Sequence, residues 1–450
     1  MARVPEEHPE DSYEPIKAEL LTGAQRAPMG QLSPQPWMAW PQTLTVLAAL
    51  TAEGTEVRFV GGCVRDGLLH RPVKDVDIAT PDLPEKVVAL LEAAGLKAVP
   101  TGLAHGTVTA VVGEGAEQRT FEITTLRRDV DTDGRHAVVE WSTDWVADAA
   151  RRDFTINAMS ATPDGAVYDY FDGLQHLHHG RVVFVGRAMA RVREDYLRIL
   201  RFFRFYARYG RPPINHEGLK ACQALADGLD TLSGERVRDE LFKILETDLC
   251  TDVLLTMRGE RVLQHVLPEA AHFGGLRQLV FLETRGLRMP GLEIDPLRRL
   301  AILVGEDAEA AVLAARFKLS TREADRLAVL IEGTVRPWPT LNRIERQALL
   351  RRVGREAVRD RALMLWSAQR AVEGRIDSQK TAGWIALLED ARALPVPEFP
   401  VRGRDLLALG MAPGPQVGAL LHGLDSWWEE AGYAPDRDAV LAEAARRLAS

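Results

Sequence analysis

The sequence predicts an α+β protein: an N-terminal head built on a mixed β-sheet, followed by an all-α remainder. Three observations carry this. Short segments rich in valine, isoleucine and threonine, separated by glycine turns, crowd the first third of the chain. Helical patterns dominate from about residue 143 onward. The helical part is broken at proline clusters, RPP (211–213), VRPWPT (335–340) and LPVPEFP (394–400).

Taken in order, residues 1–40 are polar and proline-rich without sustained periodicity, which predicts a mobile arm. PQTLTVLAALTAE (41–53) predicts a helix with proline in its first turn. EVRFVGG, DVDIAT, HGTVTAVVG, RTFEITTLR and AVVEW read as strands, with one helix, LPEKVVALLEAAG (83–95), among them. Later strand signals are confined to AVYDYFDG (166–173) and RVVFVG (181–186). No internal repeat is evident.

Composition narrows the class. The 450 residues suffice for two to four domains, and 46% apolar residues suit globular cores. No apolar run approaches the roughly 18–20 residues needed to cross a bilayer. The acidic, proline-bearing start (MARVPEEHPEDSYEP) is unlike a signal peptide. Cys63, Cys222 and Cys250 are too few and too scattered for a disulfide framework or a zinc site. Together these features predict a soluble cytoplasmic protein with no membrane partner. The net charge of −8 conceals a basic strip: residues 181–211 hold nine arginines against Glu194 and Asp195. Such a strip on an acidic body suits a polyanion held at one place.

The segment VGGCVRDGLLHRPVKDVDIAT (60–80) carries the chemistry. Asp75 and Asp77 alternate on a predicted strand, so both side chains face one side. Adjacent carboxylates repel, and a hard divalent cation such as Mg²⁺ relieves that. Gly61 and Gly62 allow backbone N–H groups to approach a phosphate closely at a turn entering a helix. Arg65 would add a charge-assisted bond to that phosphate. These parts describe a nucleoside-triphosphate site with metals placed for phosphoryl transfer. A lone GG turn or a lone DxD is usually structural; in sequence, they are far more specific.

The pattern continues downstream as GLAHGTVT (102–109), RRDFTINAMS (151–160), YDYFDG (168–173), EDYLRILRFFRF (194–205) and LSGERVRDEL (232–241). With GGCVRD and DVDIAT, it resembles the nucleotidyltransferase superfamily of polymerase beta. Within that superfamily it is most similar to the class II tRNA nucleotidyltransferases, the CCA-adding enzymes. The resemblance implies a nucleotidyltransferase head (41–180), a helical neck that selects the base (181–250), a helical body (251–340) and a tRNA-binding tail (341–450). It implies two Mg²⁺ ions during catalysis, CTP and ATP as substrates, and tRNA lacking all or part of its 3′ CCA. No obligate protein partner is evident.

Base selection has a physical reading. Asp195 and Arg198 are i,i+3 neighbours at the predicted start of a helix opened by Glu194. A carboxylate only accepts hydrogen bonds and a guanidinium only donates. Cytosine and adenine each place an amino donor beside a ring-nitrogen acceptor, whereas uracil and guanine reverse that order. An Asp/Arg pair therefore complements C and A and opposes U and G. The family's use of this motif as base reader agrees. Arg201 and Arg204 are expected near phosphates or holding the pocket's shape. The resemblance gives one of Arg151 and Arg152 to the nucleotide without separating them, and Asp153 and Asn157 to the sugar end, as ligands or braces. Glu122 is equally a third acidic neighbour of the metals or a buried structural acid. The segment 126–141, with Arg127, Asp129, Asp133 and Arg135, corresponds to a flexible loop that helps switch from C to A. Thr132 and Ala137 stand there in place of the family's usual aromatic and proline.

Bacterial poly(A) polymerases share several of these motifs. GLAHGTVTAVV, where those polymerases carry a basic phenylalanine-containing strand, and a chain end without a long basic tail favour CCA addition. A CC-adding or A-adding member of a split pair is a further alternative, and a silent RNA-binding protein a remote one. His176, His178 and His179 read as incidental histidines in a turn rather than a metal site. In LLALGMAPGPQVGALL (406–421), the second helix's start is read equally as a phosphate site or as a plain turn. Trp427 and Trp428 read as core or interface anchors.

Overall fold

The structure, a computed structural model, describes residues 27–103, 106–132, 137–374 and 377–449. The chain forms two compact units, Met1–Pro268 and Glu269–Ser450. The first contains β1 (Gly30–Gln31), β2 (Arg58–Val60), β3 (Val76–Thr80), β4 (Lys97–Gly102), β5 (Thr107–Val112) and β6 (Arg119–Thr125). It also contains the hairpin β7 (Arg127–Thr132) and β8 (Ala137–Trp141), then β9 (Ser160–Ala161) and β10 (Ala166–Tyr168). Eight strands make one sheet in the order β1-β10-β9-β2-β3-β6-β5-β4; β7 and β8 pair separately.

Within the large sheet β3 and β6 run parallel, with Asp77 opposite Glu122, while the other neighbours are antiparallel. A parallel pair needs a crossover, supplied here by α3 (Pro84–Ala93) with β4 and β5. One face of the alternating strands is largely apolar: Phe59, Ile78, Val108, Ala110, Phe121 and Ile123 are buried. α1 (Pro41–Leu50) starts at its proline, as expected.

β2 runs through Gly61 into α2 (Gly62–Leu68). α4 (Trp145–Ala150) and α5 (Gly173–His179) complete the head, and α6 (Ala188–Glu194), α7 (Leu197–Tyr209), α8 (His216–Ala224), α9 (Gly234–Leu245) and α10 (Cys250–Gly259) follow. α7 buries Ile199, Leu200, Phe202, Phe203 and Phe205. Phe184 stacks on Phe202 at 5.6 Å, and Phe154 and Phe184 form the bridge that is all the strand character RVVFVG acquires.

Four expectations are corrected here. Of the predicted arm, residues 1–26 lie outside the described residues, but the remainder packs on the head. Gly30 and Gln31 pair with β10, and Leu32 and Trp37 are buried, because an apolar pair in that polar stretch finds a sheet edge. The segment 126–141, a loop by the resemblance, pairs as a hairpin across its described part, with AVVEW as the strand expected of it and Arg128 bonded to Glu140. The helix expected from Glu194 is broken: Glu194 ends α6, Asp195 is extended (φ −156°, ψ 107°), and α7 begins at Leu197. The three histidines lie on α5, not in a turn, and His176 bonds Thr155.

The second unit is helical: α11 (Phe273–Phe281), α12 (Pro296–Val304), α13 (Ala310–Arg316), α14 (Thr321–Ile331), α15 (Arg343–Glu373), α16 (Ser378–Ala393), α17 (Gly403–Ala408), α18 (Pro415–Glu430) and α19 (Arg437–Ala449). α15 is two helical stretches joined at Gly354, whose φ of 83° suits glycine. A buried ionic cluster joins its elements. Arg298 bonds Glu283 and Asp360, Arg299 bonds Glu283, and Arg326 bonds Asp295 and Asp360. Near the chain end Trp428 is buried with Leu406, Leu424 and Val440, as an anchor should be, and Trp427 packs beside that cluster.

Candidate functional site

A cavity of about 470 Å³ in the first unit is lined by Gly61, Gly62, Arg65, Asp77, Arg152, Asp153, Asn157, Asp195, Leu197, Arg198, Arg201, Phe205 and Arg236. It thus gathers the glycine turn, one aspartate of the DxD, the RRDFTIN segment and the α6–α7 break. Such a volume suits a small organic ligand.

In the cavity wall, Gly61 adopts φ +69°, and a Cβ there would stand 3.2 Å from Arg152 Nη1. The positive φ favours glycine there, and a side chain would also crowd that guanidinium. Asp77, on β3, is mostly buried, and its carboxyl is pushed up to about 6. Burial is the largest cause, followed by the Glu122 carboxylate beside it; Asp75 adds to the effect and Arg152 opposes it. Glu122 is exposed on β6, so it is an acidic neighbour rather than a buried structural acid. Asp75 stands one residue before β3, is exposed and does not line the cavity, while its charge acts on Asp77.

The carboxylates fit a hard divalent cation in charge and donor type. Among the described residues no cluster of three or more protein ligands forms. A metal here would draw its other ligands from water and substrate phosphates, as Mg²⁺ commonly does.

The walls are braced by one continuous network. Arg65 donates to Asn157 Oδ1 (2.5 Å), and Asn157 donates to Asp153 Oδ1 (2.9 Å). Arg201 closes on Asp153 Oδ2 through Nε (2.8 Å) and Nη2 (2.5 Å). Burial works against the Asp153 carboxylate, yet Arg201 and the hydrogen bond from Asn157 hold it down to about 2. Arg65 also bonds Asp66 and stacks over Tyr209, whose hydroxyl donates to Asp66. Arg204 pairs with Glu240 of α9 and does not reach the cavity. Arg201, by contrast, lines the cavity while bound to Asp153.

Asp148 separates the two arginines that sequence left unresolved. It sits buried on α4 and binds both, Arg151 at 2.7 Å and Arg152 at 3.1 Å, and they hold its carboxyl low against the opposing effect of burial. Of the pair, Arg152 lines the cavity.

Asp195 and Arg198 also line the cavity. Asp195 accepts from Leu197 N (3.0 Å) through Oδ1 and from Arg236 of α9 (2.8 Å) through Oδ2. Arg198 is held by Glu194 and donates to Arg191 O (2.8 Å). The two do not pair with each other, but both face the cavity, Asp195 as acceptor and Arg198 as donor. In the predicted switching segment, Asp133 and Arg135 lie outside the described residues, Arg127 and Asp129 fall on β7, and Arg127 is absent from the cavity lining.

Asp148, Arg191, Arg236 and Glu240 escaped the sequence reading. Asp148 had a signal: an acid three and four residues before an arginine pair. Arg236 and Glu240 lie within LSGERVRDEL, but nothing local names their partners 36 and 41 residues away.

Comparisons with known proteins follow this geometry. Residues 57–183 match the poly A polymerase head domain, and 213–273 match a family described as a probable RNA and SrmB-binding site of polymerase A. CCA tRNA nucleotidyltransferase 1, mitochondrial, of Mus musculus is 35% identical over 417 residues, covering 91% of both chains. The Homo sapiens protein of that name is 34% identical, covering 86% of each. Among solved structures, a Bacillus stearothermophilus CCA-adding enzyme in complex with CTP superposes with a TM-score of 0.69 at 25% identity, covering 90% of this chain and 97% of that one. A Thermotoga maritima CCA-adding enzyme complexed with tRNA shares the fold, with a TM-score of 0.62 at 20% identity over 91% of this chain and 97% of that one.

Proposed function

Because the chain belongs to the CCA-adding tRNA nucleotidyltransferases, we propose that it restores C-C-A to tRNA 3′ ends, using CTP and ATP and no nucleic-acid template. The observation that carries this is that one cavity is lined by the glycine turn, Asp77 and Arg152 together with Asp195 and Arg198.

The triphosphate lies along Gly61, Gly62 and Arg152, where a guanidinium and open backbone meet it. Arg65, braced by Asp66 and Asn157, directs its remaining donors to the same end. The base enters between Asp195 and Arg198, which accept from an amino group and donate to a ring nitrogen. The tRNA 3′-hydroxyl attacks the α-phosphorus in line; the new P–O bond forms as the bond to the β-phosphate oxygen breaks, and pyrophosphate leaves. Asp75 and Asp77 would hold two Mg²⁺ ions, whose chemistry when bound is to activate that hydroxyl and neutralise the leaving group.

The assignment of 41–180 to head, 181–250 to neck, 251–340 to body and 341–450 to tail belongs to this proposal. So does the β7–β8 segment, with Arg127, Asp129, Asp133 and Arg135, as the element that accompanies the switch from C to A. The helical segments would meet tRNA by shape and backbone. A cytoplasmic location is part of this proposal; the mitochondrial location in the relatives' names is said of those proteins.

The test is incubation of the protein with Mg²⁺, all four NTPs and tRNA lacking its last three nucleotides, followed by sequencing of the 3′ end. Addition that stops at C-C-A supports the proposal. An extended A tail, C-C alone, or no addition would replace it with a poly(A) polymerase, a split-pair member or a silent binder.

A further inference from the structure

Arg191 lies on α6, is 4% exposed, and does not line the cavity. Its Nη2 donates to the backbone carbonyls of Arg151 and of Arg152, the latter at 2.7 Å. Its Nη1 donates to Glu194 Oε1 at 2.8 Å. The other oxygen of Glu194 holds Arg198, which in turn donates to the Arg191 carbonyl at 2.8 Å. A buried guanidinium thus touches the backbone of the arginine beside Gly61 and Asp77. Through one shared carboxylate it also reaches the donor at the base end.

We propose that Arg191 is a positioning residue that couples base reading to phosphate alignment: through Glu194 it fixes the aim of Arg198, and through two carbonyls it fixes where Arg152 stands. The inference rests on the nucleotidyl-transfer reading above and adds a specificity determinant outside the pocket wall. Only arginine offers a planar fork that can serve two carbonyls and a carboxylate together; lysine is a point donor on a flexible stem. A base that meets Arg198 correctly leaves the Glu194–Arg191 bonds in place, with Arg152 aligned. A base that displaces Arg198 pulls on the carboxylate shared with Arg191 and loosens the segment that carries Arg152.

The experiment uses the full chain as wild type, Arg191→Lys, Arg198→Lys and the double variant. Single-nucleotide addition is measured with CTP on tRNA lacking C-C-A and with ATP on tRNA ending in C-C, and again with UTP and GTP. Arg191→Lys is expected to keep its far-UV circular dichroism and its tRNA affinity. Its KM for CTP and ATP should rise about 10- to 100-fold, the effect of losing a charged hydrogen bond, with reduced selectivity against UTP and GTP. The double variant should lose less than the two single losses combined, because both act through one network. Unchanged KM and selectivity in a folded Arg191→Lys, or strict additivity, overturns the proposal. If Arg191→Lys does not fold, Glu194→Gln decides: it keeps the shape and weakens the shared carboxylate, so unaltered selectivity there also overturns it. Failure of the wild type to add any nucleotide overturns the proposed function and this inference with it, whereas an active wild type with an indifferent variant overturns the inference alone.

Discussion

Asp77 sits where an ionised carboxylate is disfavoured. It is mostly buried, Glu122 stands opposite it in the parallel register, and Asp75 is close by, so its carboxyl is pushed up to about 6. A site that concentrates negative charge in this way is suited to a cation that arrives with the substrate. Asp77→Asn should reduce nucleotide addition by at least about a thousand-fold, as loss of a metal-binding carboxylate does, with tRNA binding retained. Single-turnover addition beside a filter-binding titration checks both halves, and substantial residual addition would remove Asp77 from the metal site. This residue was legible in the sequence because the DxD follows a GGxVRD turn at a telling distance. What was not legible is the asymmetry between the aspartates.

The decisive features at the element scale are joints between segments remote in sequence. α7 was predicted from its arginine and apolar spacing, and its buried stripe is as expected. Its starting point was misjudged, because Asp195 uses Oδ1 to accept from Leu197 N and so opens the helix from an extended residue instead of belonging to it. Asp153 then locks α7 to the RRDFTIN segment through Arg201. With a folded value of about 2 against an ordinary 3.8, Asp153 adds stability that is fully present above pH 4 and is lost as pH falls from there toward 2. The contribution is about 2 kcal/mol. Asp153→Asn should therefore lower stability near neutral pH and show a weaker loss between pH 4 and 2, measured by denaturant unfolding across pH. In the second unit, Asp360 is buried among Arg298, Arg326 and Arg359. Asp360→Ala leaves those cations short of a partner and should cost roughly 3–5 kcal/mol of unfolding free energy, read as a lower denaturant midpoint. No local period in the sequence announces either joint.

The charge distribution of the whole molecule takes on a different meaning once the side chains are placed. The arginine-rich segment 181–211 looked like a face for a polyanion. In the fold, much of its charge is spent inside the first unit: Arg191 and Arg198 on Glu194, Arg201 on Asp153, and Arg204 on Glu240. These cations tie the α6–α7 segment to its acidic neighbours, and Arg198 and Arg201 also line the cavity. Arg204→Gln should thus leave the slope of log Kd for tRNA against log salt unchanged, where loss of a phosphate contact would lower it by about one. Most strands of the head and the helical second unit follow patterns visible in the sequence, whereas the sheet order has no local signal. Pairing of Gly30–Gln31 onto the sheet edge was not visible, because two residues carry no period.

The central claim is that protein groups alone choose the nucleotide, with Asp195 and Arg198 standing in for a template base. The most direct measurement is the ratio of kcat/KM for CTP to that for UTP, on tRNA lacking C-C-A, in the wild type and in Asp195→Ala. The account predicts strong preference for CTP in the wild type and a collapse of that ratio by about ten-fold or more in the variant, since an unmatched acceptor no longer opposes the uracil carbonyl. An undiminished preference for CTP in a folded, tRNA-binding Asp195→Ala would contradict it.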